Sequence, residues 1–190
     1  MFKDWLKLVT TDCTVIQLSD KMFVYPMYKN GSTSLKYYSE KNHLNIFKNK
    51  EISKLKNITV FLRNPTDRFI SGVHSYLEYE KIKDVDKELK KIEKFETLDR
   101  HFIPQYFWLL HLLKYFNGNL EIKSVSDLYN LIPNRDAPRD VRKITKEKKE
   151  KIKSIDYKKY INIDEQIIKK YLNETVKLKN LIMEFKNVVS

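Results

Sequence analysis

Two short stretches of the chain carry residue types and spacings suited to holding an anion. The first is Tyr25-Pro26-Met27-Tyr28-Lys29-Asn30-Gly31-Ser32-Thr33-Ser34-Leu35. A loop with one glycine that enters a helix through hydroxyl residues turns backbone N–H groups and the positive end of the helix dipole toward one point. Such a cradle suits phosphate or sulfate, and Lys29 adds a full charge beside it. The Walker pattern places its lysine after the second glycine, and this stretch does not match it. An Asn-Gly hairpin turn is the competing reading, but Ser-Leu-Lys-Tyr-Tyr-Ser-Glu-Lys after it has helical rather than alternating character.

The second stretch is Val60-Phe61-Leu62-Arg63-Asn64-Pro65-Thr66-Asp67-Arg68-Phe69-Ile70-Ser71-Gly72. Arg63 closes an apolar run, at the end of a strand where α/β proteins place ligand contacts. Ser71 follows eight residues later, in the opening turns of the next helix. A guanidinium and a hydroxyl so placed can share one phosphate, the arginine supplying forked donors. The structural alternative pairs Arg63 with Asp67 and leaves Ser71 as a cap.

The elements that must position these groups are legible as alternating strands and helices. Residues 15–18 and 22–25 read as short β runs around the turn Ser-Asp-Lys, with Pro26 closing the second. A helix is expected from Ser32, with Leu35 and Tyr38 on one face. Ile58 to Leu62 is almost wholly apolar, as a parallel strand covered on both faces would be. The helix after it carries Phe69, Val73 and Leu77 inward. Residues 85–95 read as a charged amphipathic helix, and Pro104 begins another that holds His111. Asn117-Gly118 is a turn before a strand at 120–125, and 134–142 is loop. The lysine-rich C-terminal third carries a helical stripe of Ile168, Tyr171, Leu178, Ile182 and Phe185. Alternation of this kind predicts an α/β fold with a mainly parallel sheet, and no repeat or linker divides residues 1–190.

Composition bounds the remaining classes. A chain of 190 residues with 42% hydrophobic residues can bury a core without a staple. One cysteine, Cys13, excludes an internal disulfide framework and any Cys-based zinc site. No apolar stretch approaches a membrane span, and the opening MFKDWLKLVTTD reads as no signal peptide, so a soluble, cytoplasmic protein is expected. The formal charge of +12 favours anionic partners, but only six of the 37 cations are arginine. Abundant Lys, Asn and Ile reads as a coding bias that decorates the surface, so net charge alone decides little.

Lys-x-Gly-Ser-Thr after a first strand, then Arg-Asn-Pro-x-x-Arg-x-x-Ser after a later one, resembles the sulfotransferases that use 3′-phosphoadenosine 5′-phosphosulfate. The likeness is specific over residues 22–43 and 58–77. It extends more loosely to Asp99-Arg100-His101-Phe102-Ile103-Pro104-Gln105, which looks like the His-aromatic-x-Pro-Gln segment of the carbohydrate-type enzymes. The resemblance implies a P-loop-like three-layer fold around a mainly parallel sheet. It also implies transfer of a sulfuryl group to a hydroxyl acceptor, a small molecule or a carbohydrate. Lys29, Asn30, Gly31, Ser32, Thr33 and Ser34 would then hold the 5′-phosphosulfate, and Arg63 and Ser71 the 3′-phosphate. Arg139, with Arg135 and Arg142, is a candidate for a second 3′-phosphate or acidic-acceptor contact, and a solvated basic loop is the alternative. Ser34 stands where the family has an aromatic. The chain is short for the family, which leaves a shallow acceptor pocket or one completed by a second subunit.

Lys29 would neutralise charge on the leaving oxygens, and His101 is the first choice for the base that deprotonates the acceptor. Glu40 and His74 are the reserves; His43 and His111 have no argument beyond their type. The transfer needs no metal, and no cluster has metal spacing. Two other classes stay open: a P-loop-like nucleotide-dependent kinase, and a basic nucleic-acid-binding module, which would leave both motifs unexplained.

Overall fold

The structure, a computed structural model, describes residues 5, 7–9, 12–132, 144–173, 180 and 182. Strands β1 (Thr14–Ser19) and β2 (Met22–Tyr25) form an antiparallel hairpin. Helix α1 (Ser32–Lys41) leads to β3 (Ile46–Lys48), which pairs antiparallel with β1, and to a 3-10 helix at Asn49–Lys54. Strand β4 (Asn57–Leu62) then enters parallel to β2, and after three helices β5 (Asn119–Ser124) pairs parallel to β4. Those helices are α2 (Pro65–Tyr79), α3 (Val85–Glu93) and α4 (Gln105–Leu113). Helices α5 (Val125–Leu131), α6 (Lys146–Lys153) and α7 (Lys158–Asn173) follow.

The sheet order is β3-β1-β2-β4-β5. It is therefore a mixed sheet: the expected parallel pairing holds for β2, β4 and β5, and the β1–β2 and β1–β3 pairs are antiparallel. The reason is the short turn after β1, since only a hairpin can follow so brief a connection, whereas parallel pairing needs a crossover. Short β3 then covers the free edge of β1. The candidate motifs lie on the parallel half.

Alternation along the strands splits the core in two. Val15, Tyr25, Ile58, Val60 and Leu62 join the larger cluster, with Phe69, Val73 and Leu77 of α2, Phe107 and Leu112 of α4, and Tyr160 and Ile167 of α7. Ile16, Val24 and Phe61 point the other way, against Leu35 of α1 and Leu128 of α5. Helices thus cover both faces, and β4 is buried from Ile58 to Leu62, as its almost wholly apolar run predicts. Of the C-terminal stripe, Ile168 packs against the core and Ile182 is buried within it; the side chains of Tyr171, Leu178 and Phe185 lie outside the described residues. No helix among the described residues is long and apolar enough to cross a membrane.

Two contacts fix where the later helices meet the sheet. Asp164 of α7 caps α4 from outside: its carboxylate accepts the N–H groups of Gln105 (2.7 Å) and Tyr106 (2.9 Å). This satisfies the orphan donors of the first turn and sets a negative charge on the positive helix end. Gly72 lets α2 touch the backbone at His101 and Phe102, where a Cβ would collide with the His101 carbonyl. Alanine normally gains up to ~1 kcal/mol over glycine within a helix. Here Gly72→Ala should instead lose about 1–3 kcal/mol by overpacking against rigid backbone. Urea unfolding would show that sign; a stabilised variant would mean that α2 and the 101–102 backbone are not in tight contact.

Candidate functional site

The loop between β2 and α1 is built to leave amides open. Met27 is buried, and the Asn30 N–H returns to the Met27 carbonyl at 3.1 Å, closing a turn. Lys29 (φ 65°) and Gly31 (φ 81°) both take left-handed backbone. At Gly31 space is short as well, since a Cβ would lie 2.9 Å from Leu128 Cδ2. Gly31 is the N-cap residue and has no side chain to cap the helix, whose first turn holds no acid. Leu35 N–H makes the 2.9 Å bond to the Gly31 carbonyl, so the amides of Ser32, Thr33 and Ser34 form the open positive end. The stretch is a strand-to-helix loop and not a hairpin.

Asn30, 3% exposed, anchors this loop to the neighbouring strand. Its Nδ2 donates to the Phe61 carbonyl (2.8 Å) and to Gln105 Oε1 (2.6 Å). Gln105 also accepts the Arg63 N–H (2.9 Å) and donates to the Arg63 carbonyl (3.0 Å). The loop and the end of β4 are therefore held side by side by one glutamine from the start of α4.

Cations converge there. The Lys29 ammonium donates to Ser75 Oγ on α2. Burial, and then the charges of Arg63 and Arg68, push Lys29 down to about 8. Arg68 is fully buried and donates to the carbonyls of Ile103 and Tyr28, the latter at 3.3 Å. Asp164 faces Arg68 electrostatically, and burial pushes that carboxyl up to about 6 against the pull of Arg68 and the N–H bonds. Neither Lys29 nor Arg63 has a carboxylate within ion-pair distance among the described residues, so Arg63 is not tied to Asp67, whose N–H instead binds Asn64. Ser71 lies on α2 one turn before Ser75, on the stripe that includes Arg68. The structure thus brings Lys29, Asn30 and Gly31 beside Arg63 at the ends of β2 and β4, and places Ser71 on the helix that follows β4. Ser32 is buried, Ser34 is half-buried and Thr33 is exposed. Arg135, Arg139 and Arg142 lie outside the described residues.

His101 stands on the other side of Tyr28, the residue before Lys29. The His101 and Tyr28 rings meet edge to face at 5.4 Å, and Tyr28 stacks on Trp108 at 5.5 Å. Arg100 lies over the Tyr28 ring at 5.2 Å, and Tyr79, 72% exposed, is 6.2 Å from His101. The His101 ring also bonds through Nδ1 to Asp99 Oδ1. The other acid–base candidates lie elsewhere. Glu40 is exposed two helical turns along α1, His43 is exposed after its end, and His74 is buried in α2. His111 is buried against the Tyr25 hydroxyl at 3.4 Å.

Sequence reasoning missed Ser75, Gln105 as a clasp, the burial of Arg68, and Asp164. Ser75 had a signal, since it sits four residues after Ser71 on one helical face; Asp164, 59 residues from its partner Gln105, had none. Among the described residues no group of three or more His, Cys, Asp or Glu could hold a metal ion. The chain matches no protein-family model, no curated protein and no solved structure.

A half-buried lysine with no carboxylate partner among the described residues costs stability while charged. The folded protein releases the Lys29 proton near 8 and the unfolded chain near 10.5, so this term makes stability rise with pH between them. Lys29→Met should therefore raise the melting temperature at neutral pH, with the advantage shrinking as pH climbs from about 8 to 10.5. Added sulfate should stabilise the wild type and not the variant. A destabilised Lys29→Met protein would show that the Ser75 contact outweighs the charge cost.

Proposed function

We propose that the chain is a sulfotransferase that moves a sulfuryl group from 3′-phosphoadenosine 5′-phosphosulfate to a hydroxyl acceptor, on a P-loop-like three-layer fold. One observation carries this reading: two cations without carboxylate partners among the described residues, Lys29 and Arg63, flank a glycine-led helix start at the ends of adjacent parallel strands. Ligands of open α/β sheets bind at such strand ends. Gly31 supplies the left-handed backbone (φ 81°) that lets the loop turn into the helix, and a loop of amides at a helix start is the kind of surface that takes a tetrahedral anion.

In this reading the amides of Gly31 to Thr33 and the hydroxyls of Ser32 and Thr33 hold the 5′-phosphosulfate end of the donor. Lys29 leaves Ser75 and neutralises the charge that builds on the leaving 5′-phosphate oxygen. Arg63 and Ser71 hold the 3′-phosphate and so distinguish this donor from ADP or ATP. His101 takes the acceptor proton. The exposed Tyr79 ring beside it offers a flat amphipathic surface, of the kind a sugar ring packs against, which favours a carbohydrate acceptor. As in phosphoryl transfer, positioning and electrostatics carry most of the catalysis.

The rival classes find less support. A kinase of the Walker type needs its lysine after the glycine, and here Lys29 precedes Gly31. A nucleic-acid module would use the net charge of +12 but leaves the Lys29 to Ser34 loop and the Arg63 to Ser71 spacing unexplained.

The 3′-phosphate assignment is tested by thermal shift. 3′-Phosphoadenosine 5′-phosphate should raise the melting temperature clearly more than ADP or ATP, and Arg63→Ala should remove most of the difference. Equal stabilisation by the three nucleotides would sink it. Lys29→Ala should lower kcat on the order of 100–1,000-fold, as loss of one preorganised transition-state donor does, with a smaller loss of donor affinity. A variant with weaker donor binding and intact kcat would reduce Lys29 to a binding residue.

A further inference from the structure

We propose that Asp99 is a positioning residue of this site, holding His101 in the tautomer with its proton on Nδ1 and Nε2 bare to receive the proton of the acceptor hydroxyl. The inference rests on the sulfuryl-transfer reading for the identity of that hydroxyl, but its structural half does not.

The segment from Asp99 to Ile103 is a tight turn: the N–H groups of Phe102 and Ile103 both return to the Asp99 carbonyl at 3.2 Å. Within it Asp99 Oδ1 accepts twice from one residue, from the His101 backbone N–H at 2.8 Å and from the ring at Nδ1. The backbone bond alone would make an ordinary aspartate turn. The ring contact is additional and has a chemical consequence. Burial raises Asp99, but the side-chain and backbone hydrogen bonds from His101, and then the charges of His101 and Arg100, outweigh it and hold the carboxyl below its usual range. An ionised carboxylate only accepts, so the hydrogen between the two groups belongs to His101 Nδ1.

The ring has little freedom to leave this arrangement. Tyr28 meets it edge-on at 5.4 Å, Tyr79 lies 6.2 Å away, and Gly72 brings α2 hard against the His101 carbonyl. The His101 side chain is 13% exposed and that of Asp99 24%, so the imidazole keeps a small solvent face. Arrangements of this kind orient a histidine base and stabilise its cation without taking its proton.

The acceptor oxygen forms the new O–S bond as its proton passes to Nε2. The S–O bond to the 5′-phosphate breaks, and its electron pair leaves on that phosphate oxygen, beside Lys29. His101 ends as an imidazolium facing the Asp99 carboxylate, and the proton is later lost to solvent.

The test uses the whole chain labelled with 15N at histidine. Long-range 15N–1H correlation in the wild type, at a pH where His101 is neutral, should show a protonated Nδ1 and a bare Nε2. Asp99→Asn keeps an acceptor for the turn but can present its amide N–H to the ring. It should move the proton to Nε2 and lower kcat on the order of 10²–10⁴-fold. Stabilisation by 3′-phosphoadenosine 5′-phosphate should stay unchanged, which separates the effect from misfolding. A wild-type His101 protonated on Nε2, or an Asp99→Asn variant with unchanged tautomer and turnover, overturns the proposal. The tautomer needs no substrate: a protonated Nδ1 in a protein that transfers no sulfuryl group upholds the pair and overturns the reaction assigned to it.

Discussion

The side chain of Gln105 joins the parts of the site. Its amide satisfies both backbone groups of Arg63, receives Asn30, and reaches Asp164 at 3.4 Å. Arg63 lies just beyond the last ladder pair of β4, where the sheet no longer supplies partners. Buried polar groups left unsatisfied there would cost about 1–3 kcal/mol each. The glutamine meets those demands and draws three segments together: the β2–α1 loop, the end of β4 and the start of α4. Asp164 fixes the glutamine's own backbone, so α7 takes part in placing a loop more than a hundred residues earlier in the chain.

Polar burial on this scale suits a rigid anion site. Lys29 and Arg63 repel each other, and Arg68 adds a third cation that is wholly buried. The fold offsets this with Asp164 and with carbonyls of Tyr28 and Ile103 rather than with a carboxylate beside Lys29. Such a cluster of like charges, with no carboxylate beside Lys29 among the described residues, is the electrostatic setting in which an anion would be stabilising. His101 belongs to a separate arrangement, reached through Tyr28, in which rings and an aspartate hold an imidazole beside the cation cluster.

Much of this was legible from local pattern. The apolar run Ile58 to Leu62, the proline after it and the Phe69, Val73 and Leu77 spacing define a buried strand and its helix, because strand and helix periods differ. Lys29 to Ser34 reads as a strand-to-helix loop for the same reason. The direction of strand pairing was less legible: β3 is only three residues long and largely exposed, too short to stand out from its surroundings.

What the sequence by itself determined is the set of local elements and the chemistry each end could offer: a glycine loop entering a helix, an arginine closing a strand, a histidine before a proline. Those follow from propensity, periodicity and capping, which act over a few residues. Tertiary structure alone decided that Gln105 bridges Asn30 and Arg63, that Ser75 holds the Lys29 ammonium, that Asp164 caps α4, and that His101 shares a wall with Tyr28. Each of these contacts joins residues tens of positions apart. Their partners are selected by the packing of α2, α4 and α7 on one face of the sheet, where a buried donor must find whichever acceptor the fold brings within reach.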